Sequence, residues 1–359
     1  MSESRVSPQD QDTQPCEDYW TPIKVLAGVL MAVVALSVVA VVQWDEIERI
    51  ALGASEDDRP GHRGLAYPAW DTEPAFDLEN LLLDRDRILS GGPRKDGIPA
   101  LTDPETVPVA DADFMLDDDR VVGVTVNGES RAYPIKVLNR HECYNDELGG
   151  VPIAVIFCPL CDSVSVVDRQ LGEQVYEFGI SGLLYNSNVL LYDRVDDALW
   201  SQAGLIAVSG PNAGKSLTHL SGWEITTFAD WRESHPDSTA ATLETGHYGP
   251  ERYNAVAYAS YFQTDDVMFP VEATDPRFKN KYPVVGVWVD GKARAYPVDF
   301  IAEAPGGRVE ESFGGGRVVL EPTEGGGVRV IEVPVGANVL HTFWFAWYAF
   351  HPETEVYGG

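Results

Sequence analysis

One segment of the chain occurs twice. V-V-G-V-T-V-N-G-E-S-R-A-Y-P, from Val121 to Pro134, returns as V-V-G-V-W-V-D-G-K-A-R-A-Y-P, from Val284 to Pro297. A match that long is not chance, so the fold has to house two like units. In the first copy the alternating β-branched run ends at Asn127-Gly128, the strongest hairpin signal in the chain. Fainter echoes follow. Leu148-Gly149-Gly150 before Ile153–Phe157 matches Phe313-Gly314-Gly315 before Val318–Leu320, and F-A-D-W-R-E-S-H-P-D-S-T at 228–239 matches W-F-A-W-Y-A-F-H-P-E-T at 344–354. A full copy therefore spans about 105–246 and a shortened one about 280–357. The expected fold is α+β and β-rich, with two unequal repeats preceded by one transmembrane helix.

The duplication separates scaffold from chemistry. Arg131, Tyr133, Pro134, Trp231, His235 and Pro236 have counterparts in the second copy and are expected to serve the fold. His235 resembles a catalytic base, yet its twin His351 stands in a copy without the other reactive groups. The residues peculiar to the first copy are His141–Asp146 (H-E-C-Y-N-D), Cys158–Cys161 (C-P-L-C) and the stretch 178–202.

Charge restricts the class of protein. Among 359 residues, 56 carboxylates face 26 basic residues, only seven of them lysine, for a net charge of −30. Such a surface repels itself in dilute buffer and is screened at molar salt, where the Debye length is about 3 Å. The composition reads as a halophile's, and without a basic stripe it argues against nucleic-acid binding.

The uncharged run Val25–Val42, bracketed by Trp20 and Trp44, reads as a transmembrane helix. A cleaved signal would have a shorter apolar stretch and a small-residue site before Asp45. The expected order is an acidic disordered tail (1–22), the helix (23–44) and a juxtamembrane spacer with a short amphipathic helix over Phe76–Leu89 (45–85). The first repeat with the Cys/His site (86–246) and a linker with the shortened repeat (247–357) complete it. The chain is expected to be a single-pass protein of the cell membrane, held to the bilayer by one helix, with its large domain outside the cell.

Two thiols three positions apart can close a redox disulfide or hold one metal. Val151–Phe157 before the C-P-L-C and Asp162–Asp168 after it read as strands, and a Pro-bearing turn between strands is closer to a metal knuckle than to a thioredoxin motif. The expected ligands are His141, Cys158 and Cys161, with Cys143, Glu142 or Asp146 as a fourth. His141 and Cys143 would share a face if extended. Three soft ligands suit copper(I) or zinc. The run 184–194 reads as one strand with Asn186, Asn188, Tyr192 and Arg194 on a face, after a tight turn at Gly179–Gly182. Asn145, Ser181 and Gln202 join Asn186, Asn188 and Arg194 as polar groups expected around the centre. G-P-N-A-G-K-S at 210–216 has three residues between its glycines where a phosphate loop needs four, so no nucleotide is expected.

In order, these motifs form a recognisable set: G-G-P-R-K-D-G-I-P at Gly91, R-A-Y-P at Arg131, H-E-x-x-N-D at His141 and C-P-L-C at Cys158. G-I-S-G-L-L at Gly179, Y-D-R at Tyr192, L-W-S-Q at Leu199 and W-x-x-x-H-P at Trp231 follow. Over about 85–357 the chain resembles the family of domain of unknown function 3179, as a membrane-anchored, haloarchaeal-type member. The resemblance implies an envelope-directed protein and no established activity. Members often carry an apolar residue where Cys143 stands, which argues against a closed four-ligand zinc set.

The leading expectation is an envelope protein that binds or transfers a soft metal, or uses it in a redox step. A thiol-disulfide oxidoreductase using Cys158 and Cys161 is one alternative, and a structural or interaction module without catalysis is another.

Overall fold

The computed structural model describes residues 76–358 apart from Val256. The acidic tail, the apolar run Val25–Val42 and the spacer up to residue 75 lie outside the described residues. Among the described residues no helix is long and apolar enough to cross a membrane.

The chain is β-rich α+β with a few short helices. One nine-stranded sheet runs Leu101–Thr102, Cys143–Leu148, Val151–Cys158, Ser163–Asp168, Asn338–Phe343, Pro283–Val289, Lys292–Pro297, Glu355–Val356, with Thr218–His219 paired to Ser163–Asp168. An eight-stranded sheet runs Val309–Phe313, Gly316–Pro322, Val328–Glu332, Trp223–Thr227, Arg120–Val126, Glu129–Pro134, Thr239–Ala241, Thr106–Pro108. Each sheet takes strands from both ends of the sequence. The seams are antiparallel, at His341 opposite Val164 in the first sheet and at Trp223 opposite Val330 in the second.

Val122, Val124 and Tyr133 from one sheet and Val155, Phe157, Val285 and Tyr296 from the other share one core. Burying apolar faces between two stacked sheets is what alternating strands do. Val151–Cys158 departs from alternation, because nearly every residue in it is buried. Its Ile153, Val155 and Phe157 enter that core, while Ala154, Ile156 and Cys158 enter a second one. The second core is closed by a five-stranded sheet, Leu89–Ser90, Phe178–Tyr185, Asn188–Asp193, Leu199–Ser201, Ile206–Ala207. Both faces of the strand are thus covered, as a continuous apolar run requires.

Three local expectations need correction. The helix over Phe76–Leu89 is absent; only Arg85–Arg87 forms a 3₁₀ turn. Its backbone bonds outward instead, Asp77 N–H to Asp197 O and Leu82 N–H to Val208 O, while Phe76 and Ile88 enter a core cluster with Leu183 and Leu199. The run 184–194 is not one strand. Asn186 and Ser187 have φ of 50° and 63° and turn the chain between Phe178–Tyr185 and Asn188–Asp193, as a two-residue hairpin loop with positive φ at both central residues does. Gly179–Gly182 is no turn but part of a strand with a shift of register between Ile180 and Leu183.

Candidate dithiol site

The turn Cys158-Pro159-Leu160-Cys161 closes with Cys161 N–H donating to Cys158 O at 3.2 Å, and the next strand starts at Ser163. Both thiols are free and fully buried. They point to one place. The carbonyl oxygen of Ser187 lies 3.1 Å from Cys161 Sγ and 3.9 Å from Cys158 Sγ. Ser187 is the second residue of the positive-φ turn, so the hairpin tip sets its carbonyl over the sulfurs.

The two thiols are unequal. Burial opposes ionisation of both. At Cys158 it is outweighed by a hydrogen bond from Cys161 and by the backbone N–H groups of Val189, Cys161 and Leu160, so this thiol falls below its ordinary range. Burial, then the bond to Cys158 and the charge there, push Cys161 well above it. Beside the pair, Ser163 donates to Gln202 Oε1 at 2.8 Å and Asn188 donates to the same oxygen at 2.9 Å. Gln202 in turn donates to the carbonyls of Ile156 and Ser163. These bonds fix the start of the strand that follows the cysteines. On another side, Tyr261 Oη donates to Leu160 O at 2.9 Å, inside the C-P-L-C turn.

Glu142 is a buried carboxyl that senses Cys158. It ends the helix Ile135–His141 in a left-handed conformation, φ 59°, and its carbonyl accepts from Phe157 N–H at 2.7 Å, one residue before Cys158. The residue is 8% exposed. Burial first, and the neighbouring Cys158 second, raise its carboxyl well above the usual range.

His141 does not join the sulfurs. Its Nδ1 lies 2.6 Å from Pro99 O and its Nε2 2.7 Å from Tyr253 Oη, and that hydroxyl bonds Thr245 Oγ1 at 2.5 Å. The rings of His247, Tyr248 and Tyr253 surround it at 5.4–5.7 Å between centroids. Burial lowers its pKa to about 4, which keeps the ring neutral. His141 and Cys143 do not share an extended face either, because the left-handed Glu142 stands between a helix and a strand. Among the described residues no group of three or more His, Cys, Asp or Glu could hold a metal. The His141–Cys158–Cys161 ligand set is therefore not assembled, and Cys143 does not complete it. Cys143 sits on Cys143–Leu148 opposite Ile156, and burial pushes its thiol up to about 12.

The other polar candidates hold the fold. Arg131 pairs with Asp146, and Tyr133 donates to the same carboxylate at 2.7 Å. In the second half Arg294 and Tyr296 take Glu311 in the same way, at 2.8 and 2.7 Å. Asn145 exchanges two hydrogen bonds with the backbone of Phe178 and so ties two sheets together. Ser181 bonds Leu190 O and Leu183 N–H within the irregular strand. Asn186 accepts from Glu272 N–H at 2.9 Å, and Arg194 pairs with Asp96 and Glu177 at the surface. The sequence reading missed Ser187, Ser163 and Tyr261. Ser163 and Ser187 lie in runs it had marked, but nothing local to Tyr261 signals a bond to a residue so far back in the chain.

Fold and site together define a class, a β-rich α+β protein with an unequal, buried dithiol in a turn between two covered strands. The family model described as "Protein of unknown function (DUF3179)" matches residues 95–338, more than half of the chain, and the chain belongs to that family. Comparison with curated proteins found no match, and comparison with solved structures found none either.

Proposed function

We propose that Cys158 and Cys161 form a dithiol that exchanges with disulfides. The observation that carries this reading is the shared position of the two sulfurs under the Ser187 carbonyl, with Cys158 favoured as thiolate and Cys161 as thiol. The thiolate is the attacking form. Cys158 sulfur attacks one sulfur of a small-molecule or protein disulfide, that S–S bond breaks, and the first leaving thiolate takes a proton. Cys161 then gives up its proton and attacks Cys158 sulfur, expelling the second thiolate, which takes that proton. Two electrons pass from the pair to the incoming disulfide, leaving a Cys158–Cys161 disulfide and two thiols. Glu142, with its raised pKa beside Cys158, is suited to carry the proton between steps.

Equilibrating the purified protein in glutathione buffers of graded potential, then counting alkylated Cys158 and Cys161 by mass spectrometry, tests the reading. The pair should oxidise together in a two-electron transition that vanishes in Cys158→Ser. Thiols that stay reduced at every potential, or oxidation elsewhere, would overturn it.

A second reading rests on the convergence of both sulfurs with no third ligand among the described residues. Two thiolates alone suit copper(I), which thiolates select, whereas zinc sites take four ligands. Copper that co-purifies at one atom per chain and is lost in Cys158→Ser would favour it.

The same proposal takes the chain as a duplicated scaffold tethered to a membrane through Val25–Val42, with the dithiol half outside the cell and a surface adapted to high salt. The duplication is supported by like pairing. Each repeated hairpin meets an antiparallel strand on one side and a parallel one on the other, at Thr239 beside Arg131 and Glu355 beside Arg294.

A further inference from the structure

Cys158 and Cys161 are 1% and 0% exposed, and Leu160 between them is 8% exposed. A dithiol that exchanges with disulfides has to be uncovered first, so some segment over it must move. The strands Val151–Cys158 and Ser163–Asp168 flank the turn and open only with their sheet. From the second half, Asn338–Phe343 holds Cys161 O through Phe343 N–H at 2.9 Å and Thr342 Oγ1 at 3.3 Å. A different kind of neighbour is the stretch 263–272, which follows the short helix Ala259–Phe262 and belongs to no strand.

This stretch runs from the turn to the hairpin tip beside the sulfurs. At its start Tyr261 Oη donates to Leu160 O at 2.9 Å. At its end Glu272 N–H donates to Asn186 Oδ1 at 2.9 Å, one residue before the Ser187 carbonyl that both sulfurs share. Between these points Val267, Met268, Phe269 and Val271 rest half-buried on the second core, whose members include Cys158, Leu160 and Cys161. Its fastenings are side chains. Among the described residues no backbone–backbone hydrogen bond joins 265–272 to the rest of the chain. Lys281 Nζ instead donates to Thr264 O at 2.7 Å and to Tyr261 O, and the Asp265 carboxylate accepts from the N–H groups of Asn280 and Lys281. Glu272 pairs with Arg87 and accepts from Tyr185 Oη. A segment with half-buried contacts and no ladder opens at far lower free energy than the sheet beneath it.

We propose that 263–272 is the lid of the dithiol and that Tyr261 is its latch. Release of the Tyr261–Leu160 bond lifts the stretch from the second core and lets a disulfide reach Cys158; closure buries the pair again. The lid rests on the exchange reading for its purpose and on its own contacts for its existence, since a lid can uncover thiols that then prove inert.

Alkylation of the full chain by iodoacetamide in detergent and molar salt, followed cysteine by cysteine with mass spectrometry, tests the lid, because it needs an open site and no redox partner. Tyr261→Phe keeps the ring and removes the bond to Leu160. It should speed alkylation of Cys158 and Cys161 by about three- to tenfold, the weight of one hydrogen bond, and leave Cys143 at its wild-type rate. Lys281→Met, which removes the other fastening, should act in the same direction. Thr342→Val removes a bond to Cys161 O from the Asn338–Phe343 strand and should leave the rates as they are. If Tyr261→Phe also speeds Cys143, the chain has loosened as a whole and Lys281→Met is read in its place with the same expectation. Wild-type rates in both lid variants, equal acceleration of Cys143 in both, or faster alkylation in Thr342→Val alone would overturn the lid. Thiols uncovered by Tyr261→Phe that never oxidise in the glutathione series would overturn the exchange reading and leave the lid standing.

Discussion

The indole of Trp231 lies against Gly123 so closely that a Cβ on that glycine would stand 2.1 Å from Cζ3. Trp347 lies against Gly286 with the same 2.1 Å, and the two indoles donate to Ser238 Oγ at 3.0 Å and Thr354 Oγ1 at 2.9 Å. The helices that carry them, Phe228–Ser234 and Trp344–Phe350, end at His235 and His351 with φ of −131° and −132°. Glycine is needed in both strands for lack of a side chain, because the ring occupies the place of a Cβ.

Gly123→Ala should therefore destabilise the protein by about 1–3 kcal/mol through overpacking, and Gly286→Ala by a similar amount. Chemical denaturation in molar salt measures both. An unchanged midpoint for either would show that the indole can move aside.

Asp146 holds Arg131 and Tyr133 with side chains 6% and 11% exposed for the ion pair. Removing Asp146 leaves the part-buried Arg131 guanidinium with only the exposed Glu129, at 3.2 Å, as a charged partner. Asp146→Ala should cost about 3–5 kcal/mol without altering the potential of the dithiol. A changed potential with unchanged stability would return Asp146 to the site.

Acid should unfold the chain through its histidines. Burial holds His141 at about 4, His219 at about 3 and His351 at about 4, against an ordinary value of 6.5. Between pH 6.5 and these values the unfolded chain binds protons that the folded chain does not, so stability falls as pH falls through that window. Glu142, raised above its ordinary value, acts in the opposite sense as pH rises past 4.5. Denaturation midpoints at fixed salt should drop from pH 6.5 to pH 4. His219→Gln should flatten the slope across the whole of that range.

Salt should matter as much as pH. With a net charge of −30, the folded chain is expected to lose stability below roughly 1 M salt as screening fades. Thermal melts during stepwise dialysis check this, and a midpoint indifferent to salt would refute the halophilic reading.

The sequence by itself determined the strand elements whose pattern is local. Val151–Cys158 and Ser163–Asp168, with the turn between them, follow from apolar and β-branched runs about a Pro-bearing break. The hairpins at 121–134 and 284–297 follow from alternation with an Asn-Gly or Asp-Gly turn. Tertiary structure decided the rest. Phe76–Leu89 has helical spacing but spends its backbone on bonds to Asp197 and Val208, and a helix cannot form once those bonds are made elsewhere. His141 has the right neighbours in sequence for a ligand, yet its nitrogens are taken by Pro99 and by Tyr253, far apart in the chain. The carbonyl that both cysteines share belongs to Ser187, which reaches them only because positive φ at two successive residues folds a hairpin over the turn. Periodicity reports which face of an element is buried; which other segment buries it, and which polar groups that segment brings, is settled by long-range pairing.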